Sequence, residues 1–423
     1  MRILAIYRHY WPDATPYARL LRAILEDQAA QDRSVTVFTA QPGYNDIKYT
    51  QQPAREMLGG VDVRRIRLLP ERKHLRVLRA LNYLIFVSRA VLHVLLLRHY
   101  DLILANTHPP VLMGMALRLI NRLTGIPYLL HCQDIHPESA VLAQQLKQGR
   151  ISRWLQAMDA KSCERAGGVV VLSEDMKRTL RRRPGYLANN LYVVNNFALD
   201  VYQPADALPK IFEESPQRPF RVFFAGNMGH FQDLARLMEA AKLLRAEQDI
   251  QFIFMGAGAE RKSLQQIASD LIGKTVFFEP HQPVEVAFAC MKRSDLGVVS
   301  LRRGVCQVAY PSKTMTYLAA GCPLLLLAER ESQLAADIVE HAFGYVPRDT
   351  IPGKIAQTIL KARDERHHWT AAAKAALVKR SEAFYGRDNA LVAWRHIFAS
   401  YAANPAGQRN FPQPVANQLR RAA

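Results

Sequence analysis

The sequence is poor in acidic residues and in cysteine. Its 423 residues include 37 Asp and Glu against 56 Lys and Arg, a formal net charge of +19. An excess of this size favours anionic partners such as nucleic acid, lipid headgroups or nucleotide diphosphates. The five cysteines show no C-x-x-C spacing and no flanking histidine pair, which argues against a disulfide scaffold and against a zinc site.

Several other patterns are missing. No leader with a charged start, an apolar run and a cleavage site precedes the first strand pattern, so we expect a reducing, cytoplasmic location. No D-x-D metal signature is visible in a loop, so we expect no bound metal, and we expect no cofactor either. A recognised nucleic-acid motif with interleaved aromatic residues is also lacking, so we expect no nucleic-acid partner.

Short apolar runs alternate with helical patterns along the chain, which is typical of parallel α/β layers. The predicted strands of the first half are 2–7, 35–40, 61–68, 101–105, 128–133, 168–172 and 192–194. A proline-punctuated stretch at 203–219 predicts a linker between two domains. The predicted strands of the second half are 220–225, 251–255, 275–279, 296–300, 324–328 and 344–346. The Pro-, Gln- and Arg-rich tail at 404–423 is expected to be loosely ordered.

The most informative stretch is 310–323. Pro and Ser precede a compact helical segment, so its first turn has free N–H groups and a positive dipole end, with Lys313 beside them. Gly321 closes the helix, and the chain restarts as a buried strand. The pattern predicts recognition of a phosphate group; an ordinary helix start with an exposed lysine is the alternative.

This stretch resembles the corresponding part of retaining GT-B glycosyltransferases of family 4, also called glycosyl transferases group 1. Their P-S-K run and A-x-G-x-P end hold the diphosphate and ribose of a nucleotide-sugar. Val308 and Thr316 stand where the family has two glutamates, and colanic-acid-type members that build bacterial surface polysaccharides are similar in lacking them. The resemblance implies an α/β GT-B fold with two Rossmann-like domains facing across a cleft.

The same resemblance implies the domain limits. An N-terminal acceptor domain would span residues 1–200, and a C-terminal nucleotide-sugar-binding domain would span 201–381. The last long helix, at 382–403, would return to the N-terminal domain and complete it.

Two glycine-bearing turns of the second domain carry the predicted donor site. In the first, Gly226 and Gly229 would let backbone N–H groups approach a diphosphate, ahead of a helix opening at residue 232 or 233. It resembles the family's "aGN-G…QgL" loop, and the second, with Gly256 and Gly258, resembles its "vGdGp" turn near the base. Plain structural turns are the alternative for both. The implied diphosphate-binding residues are Gly226, Asn227, Gly229, Ser312 and Lys313, and the implied nucleotide-binding residues are Gly256, Gly258 and Thr316.

A dense polar cluster ends a buried strand of the first domain, where ligands sit in open α/β sheets. It resembles the family's "H-x-Q-D" and "D-x-x-P-E" stretches, and by that resemblance His131 and Asp134 would face the cleft and the transferred sugar as catalytic residues. The alternatives are a histidine satisfied by backbone groups and an aspartate that caps a helix. Glu138 belongs to the same resemblance, and the alternative for it is a first-turn acid that complements the helix dipole.

Three basic side chains are candidates for contacts with acceptor or phosphate. Arg8 and His9 follow the first strand, and packing of Tyr10 and Trp11 under this loop is the ordinary alternative. Arg302 is the third candidate, because the glycine loop carries no lysine to neutralise charge.

The segment 74–99 predicts an apolar helix with arginines around it. We expect Arg89 and His93 to interrupt it too much for a bilayer span, which needs around 20 mostly apolar residues. A basic helix on a membrane surface and a core-packing helix are both open readings. The basic clusters 177–178 and 181–183 would add a second patch for anionic lipid.

These patterns lead to one main hypothesis and two rivals. The main one is a glycosyltransferase that uses a UDP- or GDP-sugar and a lipid-linked or saccharide acceptor. It would be peripheral at the inner face of the cell membrane and serve exopolysaccharide, O-antigen or capsule synthesis. The rivals are a GT-B-type nucleotide-sugar epimerase, and a non-catalytic member that binds a membrane or a partner enzyme.

Overall fold

A computed structural model describes residues 1–13, 15–43, 51–70, 76–97, 99–199, 207–213 and 218–403. The chain divides into two compact units. The N-terminal unit combines Met1–Asn196 with Asp388–Ala423, and the C-terminal unit is Phe197–Arg387. The tail predicted at 404–423 and parts of the predicted linker lie outside the described residues.

The N-terminal unit is built on an eight-stranded sheet of order β3-β4-β2-β1-β5-β6-β7-β8. Its strands are β1 (Arg2–Ile6), β2 (Ser34–Ala40), β3 (Arg55–Leu58), β4 (Val61–Ile66), β5 (Leu102–Asn106), β6 (Tyr128–His131), β7 (Gly168–Val171) and β8 (Leu191–Val193). All neighbours pair in parallel except β3, which runs antiparallel to β4. The parallel strands are almost continuously apolar because helices cover both faces.

The helices of this unit follow local signals in the sequence. They are α1 (Pro16–Ala29), α2 (Arg76–Leu97), α3 (Leu112–Thr124), α4 (Glu138–Leu142), α5 (Arg150–Arg165), α6 (Glu174–Arg181) and α14 (Arg387–Ala403). The Thr15 hydroxyl accepts the N–H of Ala18 at the start of α1, and Ser173 accepts that of Met176 at the start of α6, which satisfies first-turn donors. Helix α3 ends at Gly125 in the left-handed conformation.

The C-terminal unit has a six-stranded, fully parallel sheet of order β11-β10-β9-β12-β13-β14. Its strands are β9 (Phe220–Ala225), β10 (Ile250–Met255), β11 (Val276–Glu279), β12 (Leu296–Ser300), β13 (Leu324–Leu327) and β14 (Gly344–Tyr345). Its helices are α7 (Ala235–Leu243), α8 (Arg261–Ile267), α9 (Val284–Lys292), α10 (Lys313–Ala319), α11 (Gln333–Glu340), α12 (Pro352–Asp364) and α13 (Ala371–Tyr385). This is the strand order of a doubly wound Rossmann sheet. The predicted α/β fold of two Rossmann-like domains is confirmed.

The strand order reverses at one point in each sheet. In the N-terminal unit this switch point lies between β1 and β5, and in the C-terminal unit it lies between β9 and β12. Connections leave such neighbouring strands in opposite directions, which opens a crevice at their carboxyl ends. Ligand sites are therefore expected beside Arg8 and His108 in one unit, and beside Gly226 and Leu301 in the other.

Three local predictions were wrong. The short edge strand β3 was missed, because it has only four residues, two of them charged, and none of them is buried. The predicted single helix at 382–403 is two helices, α13 and α14, that meet at Gly386. Helix α7 begins at Ala235 and not at residue 232 or 233, because Gln232 belongs to the preceding loop.

Helix α2 lies in the segment predicted as an apolar helix. The stretch Val77–Leu97 is long and apolar enough to cross a membrane by length and composition, although a core helix passes the same test. This test does not decide between the two kinds of helix, so the expectation that Arg89 and His93 prevent a bilayer span stays a prediction. One face of the helix packs on the sheet, with Phe86 against Phe38 at 5.8 Å between ring centroids. The opposite face exposes Val77, Leu81, Leu84, Leu92, Leu96 and Leu97.

Candidate functional site

A pocket of about 190 Å³ lies at the switch point of the C-terminal unit. Strand ends β9 and β12 supply Phe224 and Leu301, the loop before α7 supplies Gln232, and the start of α10 supplies Pro311 and Lys313. The sequence predicted a phosphate-binding helix start here. The structure brings that helix start together with the first glycine loop.

Lys313 is the only cation that lines this pocket among the described residues. Its Nζ atom is buried, has no hydrogen-bond partner in the described part of the chain, and lies 4.0 Å from the centroid of the Phe224 ring. Burial lowers the pKa of the Lys313 ammonium to about 7. The ring face offers a cation–π contact but no hydrogen bond, so the donors of the ammonium are left available to a ligand.

Gly226 makes room for this lysine. It has φ of +132°, and a Cβ at this position would lie 2.4 Å from Cε and 2.6 Å from Nζ of Lys313. Any other residue would combine backbone strain with displacement of the ammonium. Glycine is therefore required at position 226 because a side chain there would displace the Lys313 ammonium.

Tyr317 fixes the helix that carries Lys313. Its hydroxyl accepts the N–H of Ala225 at 2.8 Å and donates to the carbonyl of Phe223 at 3.0 Å. Residues four apart share one face of a helix. Because Tyr317 is hydrogen-bonded to the end of β9, Lys313 on the same face of α10 lies beside Gly226. Sequence reasoning missed Tyr317; its spacing of four from the lysine was the available signal.

Three backbone N–H groups of the glycine loop already have hydrogen-bond partners within the chain. The N–H of Gly226 donates to Met255 at 2.8 Å and that of Met228 donates to Ala257 at 2.8 Å. The N–H of Gly229 donates to the Gln232 side chain at 3.2 Å. These bonds tie the loop to the next turn of the sheet. Asn227 is exposed at the tip of the loop.

Gly256 and Gly258 serve this contact between the two turns. A Cβ on Gly256 would lie 2.1 Å from the carbonyl oxygen of Gly226, and one on Gly258 would lie 2.2 Å from that of Met228. The two turns are therefore in backbone contact and form one rigid rim. This geometry favours the structural reading of these glycines, while their proximity to a base stays a prediction.

The other donor-site candidates lie around α10. The Ser312 side chain makes no capping hydrogen bond, and the Thr316 hydroxyl donates to the Ser312 carbonyl at 3.4 Å. Val308 is buried. The backbone N–H of Arg302 donates to the carbonyl of Phe231 at 2.7 Å, which holds the strand end against the glycine loop. The ligand roles of these residues stay predictions.

In the N-terminal unit, His131 is buried at the end of β6 with 1% of its surface exposed. Its Nδ1 lies 3.0 Å from the Tyr17 hydroxyl and its Nε2 lies 2.9 Å from the Gln133 amide nitrogen. Burial lowers the pKa of His131 to about 3, so the ring is neutral. Its partners are side chains rather than the backbone groups of the alternative reading.

Two neighbouring amide side chains connect His131 to the rest of the site. Gln133 and Asn196 form a reciprocal amide pair, with 2.8 Å and 3.3 Å between donor and acceptor atoms. The Gln133 amide nitrogen faces Nε2 of His131 and the Tyr17 hydroxyl faces Nδ1, so each ring nitrogen has one hydrogen-bond partner. Both ring nitrogens are occupied, which suits a residue that positions Gln133.

Asp134 differs from His131 in its surroundings. Its side chain is partly exposed, and burial of the carboxyl raises its pKa to about 6. Among the residues that the structure describes, no hydrogen bond or ion pair involves this carboxylate. It does not cap α4, whose preceding residue is Pro137. Of the two predicted catalytic residues, Asp134 is the one open to a ligand.

In the loop after β1, His9 lies near His108, a histidine that the sequence analysis did not single out. The ring of His108, which follows β5, lies 6.1 Å from that of His9, and the guanidinium of Arg8 lies 4.9 Å above the ring of Tyr83. His9 Nδ1 lies 2.5 Å from a carboxylate oxygen of Asp13. Burial lowers the pKa of His108 to about 3. A histidine directly after a predicted strand end was the signal that could have found it.

The aromatic residues of this loop pack as the ordinary alternative described. Tyr10 is buried, and Trp11 lies beneath the guanidinium groups of Arg19 and Arg22. Arg8 itself is buried, and its contact with an acceptor stays a prediction.

The basic cluster at 181–183 is corrected by the structure. Arg183 is buried and donates to Asp159 at 2.6 Å, to both oxygens of Glu138 at 2.9 and 2.7 Å, and to the His136 carbonyl at 2.6 Å. Such a paired, desolvated guanidinium organises the domain interior. Lys177 is buried too. Neither residue belongs to a surface patch, which leaves Arg178, Arg181 and Arg182 exposed.

Within the described ranges, no group of three His, Cys, Asp or Glu side chains is placed as metal ligands. All five cysteines are buried free thiols.

The sequence matches two family profiles. Residues 15–196 match the glycosyl transferase 4-like domain, and residues 219–364 match the glycosyl transferases group 1 domain. With the two parallel α/β units, these matches define a glycosyltransferase enzyme. The chain belongs to the GT-B glycosyltransferases with group 1 domains.

Two proteins are similar over much of the chain. The Escherichia coli (strain K12) protein WcaI, whose name assigns it to colanic acid biosynthesis as a glycosyl transferase, is 25% identical over 348 residues, 79% of this chain and 85% of that protein. The Pseudomonas aeruginosa protein WbjE, named as a glycosyltransferase, is 26% identical over 271 residues, 62% of this chain and 66% of that protein.

Solved structures share the fold. Anabaena HepE, solved in complex with UDP, has a TM-score of 0.64 at 15% identity and covers 95% of this chain and 100% of its own. WaaG, a glycosyltransferase involved in lipopolysaccharide biosynthesis, has a TM-score of 0.59 at 14% identity and covers 94% of this chain and 98% of its own.

Proposed function

We propose that the protein transfers a sugar from a UDP- or GDP-sugar to a lipid-linked or saccharide acceptor, with retention of the anomeric configuration. The observation that carries this proposal is the buried, unpartnered ammonium of Lys313 in the pocket at the β9–β12 switch point. A buried cation without a partner costs free energy. The diphosphate of a nucleotide-sugar would supply both the missing charge and the hydrogen-bond acceptors.

The same cation accounts for the reaction. When the glycosidic bond of the donor breaks, negative charge grows on the leaving diphosphate. A cation already aimed at that position stabilises the transition state without reorganisation, and a metal ion is then not required. Because the N–H groups of Gly226, Met228 and Gly229 are engaged elsewhere, Lys313 carries more of this role than the sequence pattern suggested.

The N-terminal unit would receive the acceptor and the reacting sugar. The partly exposed carboxylate of Asp134 lies at the carboxyl end of β6, while His131 and Gln133 hold the strand end beside it. Asp134 would contact the transferred sugar, and His131 would position Gln133. Arg8 and His9 would contribute to acceptor binding.

The exposed apolar face of α2 and the names of similar proteins support the proposed acceptor class and location. A long helix with an exposed apolar face and flanking arginines fits the interface of a membrane, where a lipid-linked saccharide is found. The relatives WcaI and WaaG are named for colanic acid and lipopolysaccharide synthesis. We propose a family 4 enzyme of exopolysaccharide, O-antigen or capsule assembly, peripheral at the cytoplasmic face.

The proposal is tested with the purified full chain and a panel of UDP- and GDP-sugars. Nucleotide release is measured with and without a lipid-linked oligosaccharide fraction, and NMR of the product gives the anomeric configuration. We expect release that depends on the acceptor, and none from Lys313→Met. Interconversion of two nucleotide-sugars without acceptor would indicate an epimerase. Binding of nucleotide without any turnover would indicate a non-catalytic member.

A further inference from the structure

A basic groove lies between α3 and α5 of the N-terminal unit, and none of its residues is a candidate for catalysis. It has a volume of about 690 Å³. Two cations from each helix line it together with two apolar side chains and one carboxylate: Arg118, Arg122, Lys161, Arg165, Met115, Leu119 and Glu164. Helices α3 and α5 pack against each other, so both pairs of cations belong to one surface.

Four cations and one carboxylate, that of Glu164, line this groove, so its positive charge is only partly balanced. In the described ranges, none of the four cations has a carboxylate within ion-pair distance. The Glu164 carboxylate instead accepts the backbone N–H groups of Leu187 and Ala188, both at 2.9 Å. Each helix thus places two like charges four residues apart, an arrangement that destabilises a helix. An anion in the groove would offset that repulsion.

Apolar surface continues from the groove along α3. Leu119 and Leu123 are 48% and 54% exposed, and α3 packs against α2. Leu92 and Leu96 of α2 are 55% and 73% exposed. A soluble anion would leave these side chains in water. A bilayer offers both anionic phosphates and an acyl region to bury them.

We propose that the groove between α3 and α5 is a headgroup site for anionic phospholipid in a bilayer, with the phosphates between Arg118, Arg122, Lys161 and Arg165. The apolar side chains of α2 and α3 then enter the acyl boundary. This site rests on the proposed function at a membrane and names the surface that meets it. It replaces the cluster at 181–183 as the main electrostatic contact.

Vesicle binding of the full chain tests this site without any substrate. Sedimentation is measured with phosphatidylcholine vesicles, with and without 30 mol% phosphatidylglycerol (about that fraction suffices for a surface potential). The groove variants are Arg118→Gln/Arg122→Gln and Lys161→Gln/Arg165→Gln. The control is Arg181→Gln/Arg182→Gln, which removes the same charge from another exposed surface.

Each basic residue near an anionic surface is worth about fivefold in affinity, so each groove variant should bind about 25-fold more weakly. The control should change by less than about twofold, and thermal unfolding of the groove variants should be unchanged or improved, because like charges are removed. Normal vesicle binding by the groove variants, or an equal loss in the control, would overturn the site. Displacement by millimolar inorganic phosphate would identify a soluble anion as the ligand and also overturn it.

Nucleotide release from the donor separates this result from the proposed function. The groove lies in the N-terminal unit, so donor turnover with a water-soluble acceptor should be the same in the groove variants and the unmodified chain. Normal turnover with normal vesicle binding refutes the groove alone. Absence of turnover in the unmodified chain refutes the enzyme and leaves the vesicle result to stand by itself.

Discussion

The indole of Trp394 meets the imidazole of His131 edge-on, with 4.8 Å between the ring centroids and 60° between the ring planes. Trp394 lies on α14, near the end of the described chain, and is 1% exposed. Helix α14 therefore forms part of the core behind the candidate site of the N-terminal unit. The imidazole of His131 is thus held by one ring contact, to Trp394, in addition to its two hydrogen bonds.

Substitution of this tryptophan should destabilise the protein strongly. Trp394→Ala removes a fully buried ring and leaves a cavity, so we expect a loss of about 3–5 kcal/mol in the free energy of unfolding, measured with urea. Trp154→Ala is the control, because Trp154 is 57% exposed and a surface change of this kind stays within about 0.5 kcal/mol. Equal losses for the two variants would mean that α14 does not pack as described.

Lys313→Met should separate stability from activity. We expect transfer to fall at least about 100-fold, as when a transition-state donor is removed. The midpoint of thermal unfolding should rise, because a buried ammonium without a partner is replaced by an apolar side chain of similar length. Lys292→Met on α9, with an exposed lysine, is the control. A stabilised variant with normal turnover would exclude Lys313 from the mechanism.

Nucleotide binding should depend on pH through the same lysine. Burial sets the pKa of free Lys313 at about 7, and a bound diphosphate raises it. Below pH 7 the ammonium is charged before and after binding, so affinity for a UDP- or GDP-sugar, whose diphosphate diester does not titrate in this range, stays constant. Above pH 7 binding takes up a proton, so affinity falls by up to about tenfold per pH unit.

Calorimetry in buffers of different ionisation enthalpy measures that proton uptake directly. The Lys313→Met variant provides the baseline. No difference in uptake between the two proteins at pH 8 would contradict the assignment.

Asp134→Asn should lower the turnover number and leave the affinity for the free nucleotide unchanged, because the donor pocket belongs to the C-terminal unit while Asp134 would contact the transferred sugar. The raised pKa of about 6 adds a second readout. If the ionised carboxylate acts on the sugar, the turnover number should rise with pH through about 6 and level off above it. A pH profile of the unmodified chain that is flat between 5 and 7 would argue against this role.

Arg183 and Arg182 are adjacent, but the same substitution should destabilise the protein strongly at Arg183 and hardly at all at Arg182. Arg183→Met leaves Asp159 and Glu138 as buried acids without their cation, so we expect a loss of about 3–5 kcal/mol in unfolding free energy. Arg182→Met is exposed and should stay within about 0.5 kcal/mol. Similar effects in the two variants would contradict the buried network.

Local patterns in the sequence determined most of the strands and the limits of the helix that carries Lys313. Apolar runs and turn residues predicted thirteen of the strands, because a buried parallel strand needs continuous apolar residues whatever surrounds it. The run Pro311 to Gly321 predicted the helix end correctly, since helix termini depend on neighbours within a few residues, while the phosphate-binding role of Lys313 stays a prediction. The exposed polar edge strand β3 carried no such signal.

Contacts between distant residues decided the rest. The sequence could not show that Lys313 lies against Gly226 and Phe224, or that the amides of the glycine loop are used by the adjacent turn, because these contacts join separate βα units. The sequence likewise showed three adjacent arginines, but it could not show that Arg183 is buried and donates to Asp159. Burial and partner choice are set by packing over the whole domain, and they determine which charges remain for a ligand.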